Sequence, residues 1–166
     1  MLNLKLLRQK SGFSQLQLGA LTGTKPSDVA RWESGVCLPP LEKIIKLCLA
    51  LSVDVGALFP VVQCEQQPFE HSLPVFFLSS PQQVEFECLY VSAHTAGGCF
   101  AIKIETDLLA PRINPGDLGL FCLEEHFACG DVVLVLRENE KPDIALYCEE
   151  FEGNAVAKMC EFRAKL

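Results

Sequence analysis

The chain has 166 residues, of which 49% are hydrophobic and 21% are charged, and its formal net charge is -7. This length suits one medium domain or two small ones, and the apolar content excludes an intrinsically disordered chain. The charge is divided unevenly, since residues 1–60 carry a net +3 and residues 61–166 a net -10. We therefore expect two modules, of which only the first is suited to approach a polyanion.

No segment has the pattern of a membrane span or an export signal. The most apolar window, residues 44–62, is interrupted by Lys46, Asp54 and Pro60. The first ten residues, MLNLKLLRQK, place lysine and arginine where a signal peptide needs an apolar run. The sequence therefore predicts a cytoplasmic protein that does not bind a membrane.

Turn residues divide the first sixty residues into short helical segments. A leucine-rich first helix is expected to end at Ser11 and Gly12. A second helix begins at Ser14, and Gln17 completes an S-x-x-Q capping box. It ends near Gly23, a residue typical of a left-handed C-cap.

Proline and glycine also mark the remaining helices of this region. Pro26 suits the first turn of a third helix, which is expected to end near Gly35. A fourth helix follows Pro40, and a short fifth helix follows Asp54 and ends by Phe59. The predicted buried face of the fourth helix consists of Leu41, Ile44, Ile45, Leu47, Cys48 and Leu51.

The second half of the chain has the short apolar runs of β-strands. Residues 61–83 are rich in glutamine and proline, and we interpret them as a linker with one strand at 75–78. Turn signals separate six later runs, which predict a small all-β domain over residues 84–166. The predicted class is α+β, with strands at 84–91, 99–105, 118–123, 131–137, 143–148 and 155–162.

Residues 14–35, SQLQLGALTGTKPSDVARWESG, carry a recognisable motif. A glutamine follows the cap at 15, small residues stand at 19 and 23, an aliphatic residue stands at 29, and W-E-x-G closes the segment at 32–35. This pattern resembles the helix-turn-helix of the phage-repressor-like, or XRE, family. The resemblance implies a five-helix lambda-repressor-like DNA-binding domain over residues 1–60, with Arg8 in a buried ion pair with Glu33.

The same resemblance implies which residues contact DNA. It assigns Gln15 to a phosphate and the third helix to the major groove, with base-facing residues Lys25, Pro26, Ser27, Asp28 and Arg31. Lysine and arginine donate to guanine, and aspartate accepts from cytosine. Arg31 as a phosphate contact and Asp28 as a helix-dipole charge remain the alternatives. Since one such domain makes few contacts, we expect a homodimer on a palindromic double-stranded operator.

The segment CFAIKIETDLLAPRINPGDLGLF, residues 99–121, is similar to the peptidase domain of LexA-type self-cleaving repressors. The matching positions are Asp107, Pro111, Ile113, Gly116, Asp117 and the GDVVLVL run at 130–136. In this alignment the nucleophile position is Leu108 and the base position is Ala145, and neither side chain supports the reaction. The resemblance therefore implies a degenerate, non-enzymatic domain, used for dimerisation through residues 155–162 or for binding a small ligand or regulatory protein.

An alternative is an autoproteolytic repressor with atypical residues. The cleavage position falls near Ser79 and Ser80, and the Ala96–Gly97 step lies too close to Leu108 for the family's cleavage loop. Thr106 and Lys141 are the nearest replacements for the nucleophile and base.

Nine cysteines, an odd number without a C-x-x-C pair, argue against a disulfide framework or a zinc ribbon. We expect most of them to be free thiols in apolar stretches. Cys122, His126 and Cys129 could form a thiol or metal sensor, a second alternative, but no fourth ligand is evident. The sequence thus predicts no metal and no cofactor.

Overall fold

A computed structural model describes residues 2–59, 70–80, 82–90, 99–107, 112–137, 140–148 and 154–163. Helices precede a seven-stranded sheet within these ranges, which confirms the predicted α+β class. The helices are α1 (Leu4–Lys10), α2 (Gln15–Thr22), α3 (Pro26–Glu33), α4 (Leu41–Leu51) and α5 (Val55–Leu58). The strands are β1 (Glu70–Phe77), β2 (Val84–Tyr90), β3 (Cys99–Lys103), β4 (Leu118–Leu123), β5 (Val132–Leu136), β6 (Asp143–Leu146) and β7 (Asn154–Arg163). Every helix that the structure describes is too short or too polar to span a lipid bilayer.

Local capping signals set the bounds of α2 and α3. The Ser14 hydroxyl accepts from the Gln17 N–H, and the Gln17 side chain accepts from the Ser14 N–H, which confirms the capping box. Gly23 ends α2 in the left-handed region with φ of 60°, and Pro26 opens α3, both as predicted. The chain therefore turns between the two helices where the sequence predicted it.

Gly19 allows the turn after α2 to pack against the helix. A Cβ at this position would lie 2.6 Å from the Thr24 carbonyl oxygen, closer than van der Waals contact allows. Because the obstacle is backbone, a larger side chain could be accommodated only by moving the turn. The small residue thus fixes how closely α2 and the start of α3 approach.

The strands form one sheet in the order β2-β1-β3-β4-β7-β5-β6. The pair β1 and β3 is parallel, and the other neighbouring pairs are antiparallel. Residues 75–77 of the run predicted as a strand at 75–78 belong to β1, which begins earlier, at Glu70, and lies between β2 and β3. Strand β7 pairs with β4 over residues 157–163 and with β5 over residues 154–158, so each of its edges is covered along only part of its length.

Four phenylalanine rings connect the helical region to the sheet. Phe59, just after α5, packs on Phe76 of β1 with ring centroids 6.0 Å apart. Phe76 packs on Phe100 of β3 at 5.7 Å, and Phe100 stacks on Phe121 of β4 at 6.1 Å. These side chains belong to one hydrophobic core that includes Leu18 and Trp32 of the helical region. The two parts of the chain therefore share a core.

Two Gly-Asp turns, one before β4 and one before β5, have the same construction. Gly116 and Gly130 have φ of 101° and 93°, values that glycine adopts without a steric penalty. The Asp117 carboxylate accepts from the backbone N–H of Asn114 at 2.9 Å. The Asp131 carboxylate accepts from the N–H three residues earlier at 2.8 Å. The G-D pairs noted in the sequence are thus turn-forming pairs that lead into β4 and β5.

Candidate nucleic-acid interface

Helix α3 has a buried face and an exposed face. Val29, Trp32 and Glu33 are buried against the helical domain. The predicted base-facing residues lie at its amino end and first two turns: Lys25, Pro26, Ser27 and Arg31 are exposed and Asp28 is partly exposed. Ser27 and Arg31 are four residues apart and thus neighbours on the helix surface. The side chains that the sequence assigned to DNA are therefore available to a ligand.

The positive charges of this domain are not equivalent. Lys43 donates to the carbonyl oxygens of Thr22 and Gly23, both at 3.2 Å, and so caps the carboxyl end of α2. Lys46 pairs with Glu42 within α4. In contrast, neither Lys25 nor Arg31 forms an ion pair with any residue that the structure describes. Both of these cations are therefore free to bind phosphates or base edges.

A buried ion pair joins α1 to the end of α3. The Arg8 Nε and Nη2 atoms donate to the two Glu33 carboxylate oxygens at 2.5 and 3.0 Å. Arg8 Nη1 also donates to the Phe13 carbonyl oxygen at 2.8 Å, at the turn before α2. The Arg8 and Glu33 side chains are only 11% and 4% exposed, which confirms the buried pair implied by the sequence.

The environment of Glu33 keeps it ionised. Burial raises the pKa of this carboxyl, but hydrogen bonds from Arg8 and Gln15 more than offset the effect, so the pKa lies below its usual value. The bidentate geometry holds the planar guanidinium and carboxylate together. Arg8 is therefore the partner that makes a buried carboxylate tolerable.

Gln15, the predicted phosphate contact, is tied to this pair. Its Nε2 atom donates to a Glu33 carboxylate oxygen at 2.8 Å, and its side chain is partly buried. Because an amide nitrogen carries two hydrogens, one donor remains after this bond. The ion pair thus orients Gln15 at the first turn of α2 while leaving a donor for an anion.

The resemblance to LexA-type repressors assigned the nucleophile position to Leu108 and the base position to Ala145. Leu108 lies outside the described residues. Ala145 lies on β6, opposite Val133 of β5, where its methyl group can neither accept nor donate a proton. Its role in the alignment stays a prediction.

A cavity of about 390 Å³ lies beside β6. Its lining includes Thr106 and Lys141, the replacements considered from the sequence, together with Ser79 from the predicted cleavage region. The Glu105 carboxylate accepts from the Ser79 N–H at 2.7 Å and from its hydroxyl at 2.5 Å. Lys141 Nζ lies 3.5 Å from the Ser79 carbonyl oxygen. Glu105 could not be recognised from the sequence, because a separation of 26 residues from Ser79 gives no local signal.

The thiol arrangement differs from the one expected. Cys122 is not grouped with His126 and Cys129 but is joined to Cys99 in a disulfide. The expectation of free thiols is wrong for this pair because the register of β3 and β4 places the two cysteines opposite each other. Cys48 fits the expectation: it is fully buried, and burial raises the pKa of its thiol to about 12. Sequence spacing could not reveal the disulfide because strand register is not a local property.

Comparison with known proteins supports the assignment of the helical region as a DNA-binding domain. Residues 4–58 match the helix-turn-helix family model, an XRE-type DNA-binding module. This match covers the five helices and supports a DNA-binding transcription regulator. It leaves the sheet domain unmatched.

Two other comparisons add no assignment. No curated protein matches the chain. Iron(II) HppE with substrate is 18% identical, with 97% of this chain and 88% of that chain covered and a TM-score of 0.34. Hydroxypropylphosphonic acid epoxidase from S. wedmorenis is 19% identical, with 97% and 87% covered and a TM-score of 0.32. Scores this low indicate neither a fold nor an activity for this chain.

Proposed function

We propose that this chain is a sequence-specific transcription repressor that binds a palindromic operator as a homodimer. The observation that carries the proposal is the exposed amino end of α3, with the unpaired cations Lys25 and Arg31, on a helix-turn-helix domain. A helix in the major groove reads base edges through such side chains. Two copies are needed because one domain of this size makes few phosphate contacts. The cytoplasmic location stays a prediction of the sequence.

The Arg31→Ala variant tests whether α3 reads bases. If Arg31 donates to a guanine, its loss weakens binding to the preferred operator by about 1–3 kcal/mol and relaxes specificity at one position. Fluorescence anisotropy with the operator and single-base variants measures both effects. Lys10→Ala, which removes an exposed cation from α1, is the matched control. Equal losses on all duplexes, or equal losses in the control, would show that Arg31 contributes only general charge.

The sheet domain is proposed to be a peptidase-like domain that has lost its chemistry and serves dimerisation or ligand binding. Two observations support this proposal. The methyl side chain of Ala145 cannot act as a base, and hydrogen bonds to the Glu105 carboxylate hold both the N–H and the hydroxyl of Ser79. The cavity beside them is large enough for a small ligand or a peptide side chain. An autoproteolytic repressor is the competing function, because Thr106 and Lys141 line the same cavity.

Prolonged incubation at alkaline pH separates these two functions. Alkaline pH deprotonates a lysine base and therefore favours self-cleavage, if the chain is capable of it. Even under these conditions we expect intact-mass measurements to show only the mass of the uncleaved chain. A Lys141→Ala variant serves as the reference. Fragments from cleavage near residue 80 that disappear in this variant would establish the autoproteolytic function instead.

A further inference from the structure

Three cysteine sulfurs meet across neighbouring strands of the sheet. Cys99 of β3, Cys122 of β4 and Cys160 of β7 have their Sγ atoms within 4.8 Å of one another. Among the described residues, no histidine, carboxylate or fourth cysteine joins this group. The set expected from the sequence was Cys122, His126 and Cys129, and the two sets share only Cys122.

The sheet itself holds two of these sulfurs together. Cys99 and Cys122 are directly opposed, with Cα atoms 4.5 Å apart, the separation of a non-hydrogen-bonded antiparallel pair. Side chains are closest at such pairs. The register of β3 and β4 therefore keeps these sulfurs adjacent whether or not they are bonded to each other.

A bulge in β7 brings the third sulfur to the pair. Leu120 is opposite Glu161 and Phe121 is opposite Met159, so Cys160 is the extra residue of β7 with no partner on β4. Bulges redirect side chains in this way. Cys160 is exposed, Cys122 is half-buried and Cys99 is only 1% exposed, so the group is open to solvent at one end and closed at the other.

We propose that the reduced chain binds one Cu(I) ion through the sulfurs of Cys99, Cys122 and Cys160. Soft thiolate ligands select Cu(I), and three sulfurs complete a trigonal site, whereas structural zinc normally takes four ligands. Three thiolates and one Cu(I) leave two net negative charges. The charged groups that act on Cys160 are Lys158, which is paired with Asp131, and the carboxylates of Glu124 and Glu161. This site is independent of the proposed DNA-binding function.

The disulfide controls access to the site. A thiol reductant such as glutathione reduces this disulfide: two reductant thiols become one disulfide, and Cys99 and Cys122 become free thiols. Cu(I) then replaces the protons of the three thiols, which pass to solvent. With the disulfide closed, two of the three ligands are unavailable, so the site is reserved for the reduced protein.

An anaerobic Cu(I) titration of the full-length reduced protein against a chromophoric Cu(I) chelator tests the proposal. We expect wild-type protein to retain one more Cu(I) per chain than Cys160→Ser. Cys129→Ser, at another exposed cysteine, should retain the wild-type number. Unreduced protein in which alkylation mapping finds Cys99 joined to Cys122 should also lack this ion. Equal retention by wild type and Cys160→Ser would overturn the proposal, as would an equal loss in Cys129→Ser.

Alkylation of the wild-type protein gives a second readout that does not depend on the folding of a variant. In the reduced protein, bound Cu(I) should slow the alkylation of Cys122 and Cys160 by iodoacetamide relative to the metal-free protein, whereas exposed Cys129 and Cys148 should react equally in both. Peptide mass mapping locates the modified residues. Protection that is absent, or that is equal at all four cysteines, would contradict a site at this position.

Discussion

Replacing Arg8 with alanine is expected to lower the free energy of unfolding by about 3–5 kcal/mol. The variant leaves the Glu33 carboxylate, only 4% exposed, without the guanidinium that donates to both of its oxygens. It also removes the donor that holds the turn at Phe13. Urea denaturation followed by the fluorescence of Trp32, which lies in the same domain, measures the change.

A double variant separates the free-energy cost of the unpaired Glu33 carboxylate from the cost of lost packing. Arg8→Met combined with Glu33→Leu removes both charges and fills the site with apolar atoms, so most of the lost stability should return. If Arg8→Ala costs no more than about 0.5 kcal/mol, a typical surface change, the pair does not support the fold.

The loss of stability caused by Arg8→Ala should depend on pH. In the wild-type protein the pKa of Glu33 is lowered, so its stabilising contribution is present above the unfolded-state pKa and is lost as pH falls through the lower folded-state pKa. Without Arg8, burial raises the pKa of Glu33, and the protonated carboxyl needs no cation. The difference between the two proteins should therefore shrink as the solution is acidified toward the titration range of carboxyl groups. A difference that stays constant at every pH would contradict the role assigned to this charge.

Phe76→Ala is expected to destabilise the chain by about 3–5 kcal/mol. Phe76 is fully buried on β1, and its ring lies between Phe59 of the helical region and Phe100 of β3. The variant therefore loses the transfer free energy of a buried ring and leaves a cavity where the two parts of the chain meet.

Two spectroscopic probes of the same denaturation measure this effect. Trp32 fluorescence reports on the helical domain and far-ultraviolet circular dichroism reports on the whole chain; the two transitions should coincide in the wild type and separate in Phe76→Ala. Leu146→Ala, at a position of β6 that is 54% exposed, is the control and should change stability by less than about 0.5 kcal/mol. A small loss in Phe76→Ala with coincident transitions would show that the shared core does not couple the domains.

The helical domain could be predicted closely because its signals are local. Ser14 with Gln17, then Gly23 and Pro26, define the helix-turn-helix within a few residues of sequence, and each acts on its own backbone. The α4 face was predicted for the same reason, since its buried positions follow helical spacing. The resemblance to the XRE family also implied that Arg8 and Glu33 form an ion pair.

The arrangement of the sheet could not be predicted in this way. The sequence indicated at least part of each of the seven described strands. It did not indicate that β1 lies parallel to β3, because that pairing brings together residues about 26 positions apart. The Cys99–Cys122 bond and the approach of Cys160 depend on register and on one bulge. Glu105 meets Ser79 for the same reason. Features that depend on pairing between distant segments leave no periodic pattern in the chain.

Selection of bound duplexes from a random DNA pool by the intact chain, followed by binding titrations, tests whether this chain is a dimeric, sequence-specific DNA-binding protein. We expect an enriched palindrome whose half-sites lie about 10 base pairs apart, or a multiple of that distance, with two chains bound per duplex. No enriched sequence, together with binding no tighter than to random duplexes at moderate salt, would contradict it.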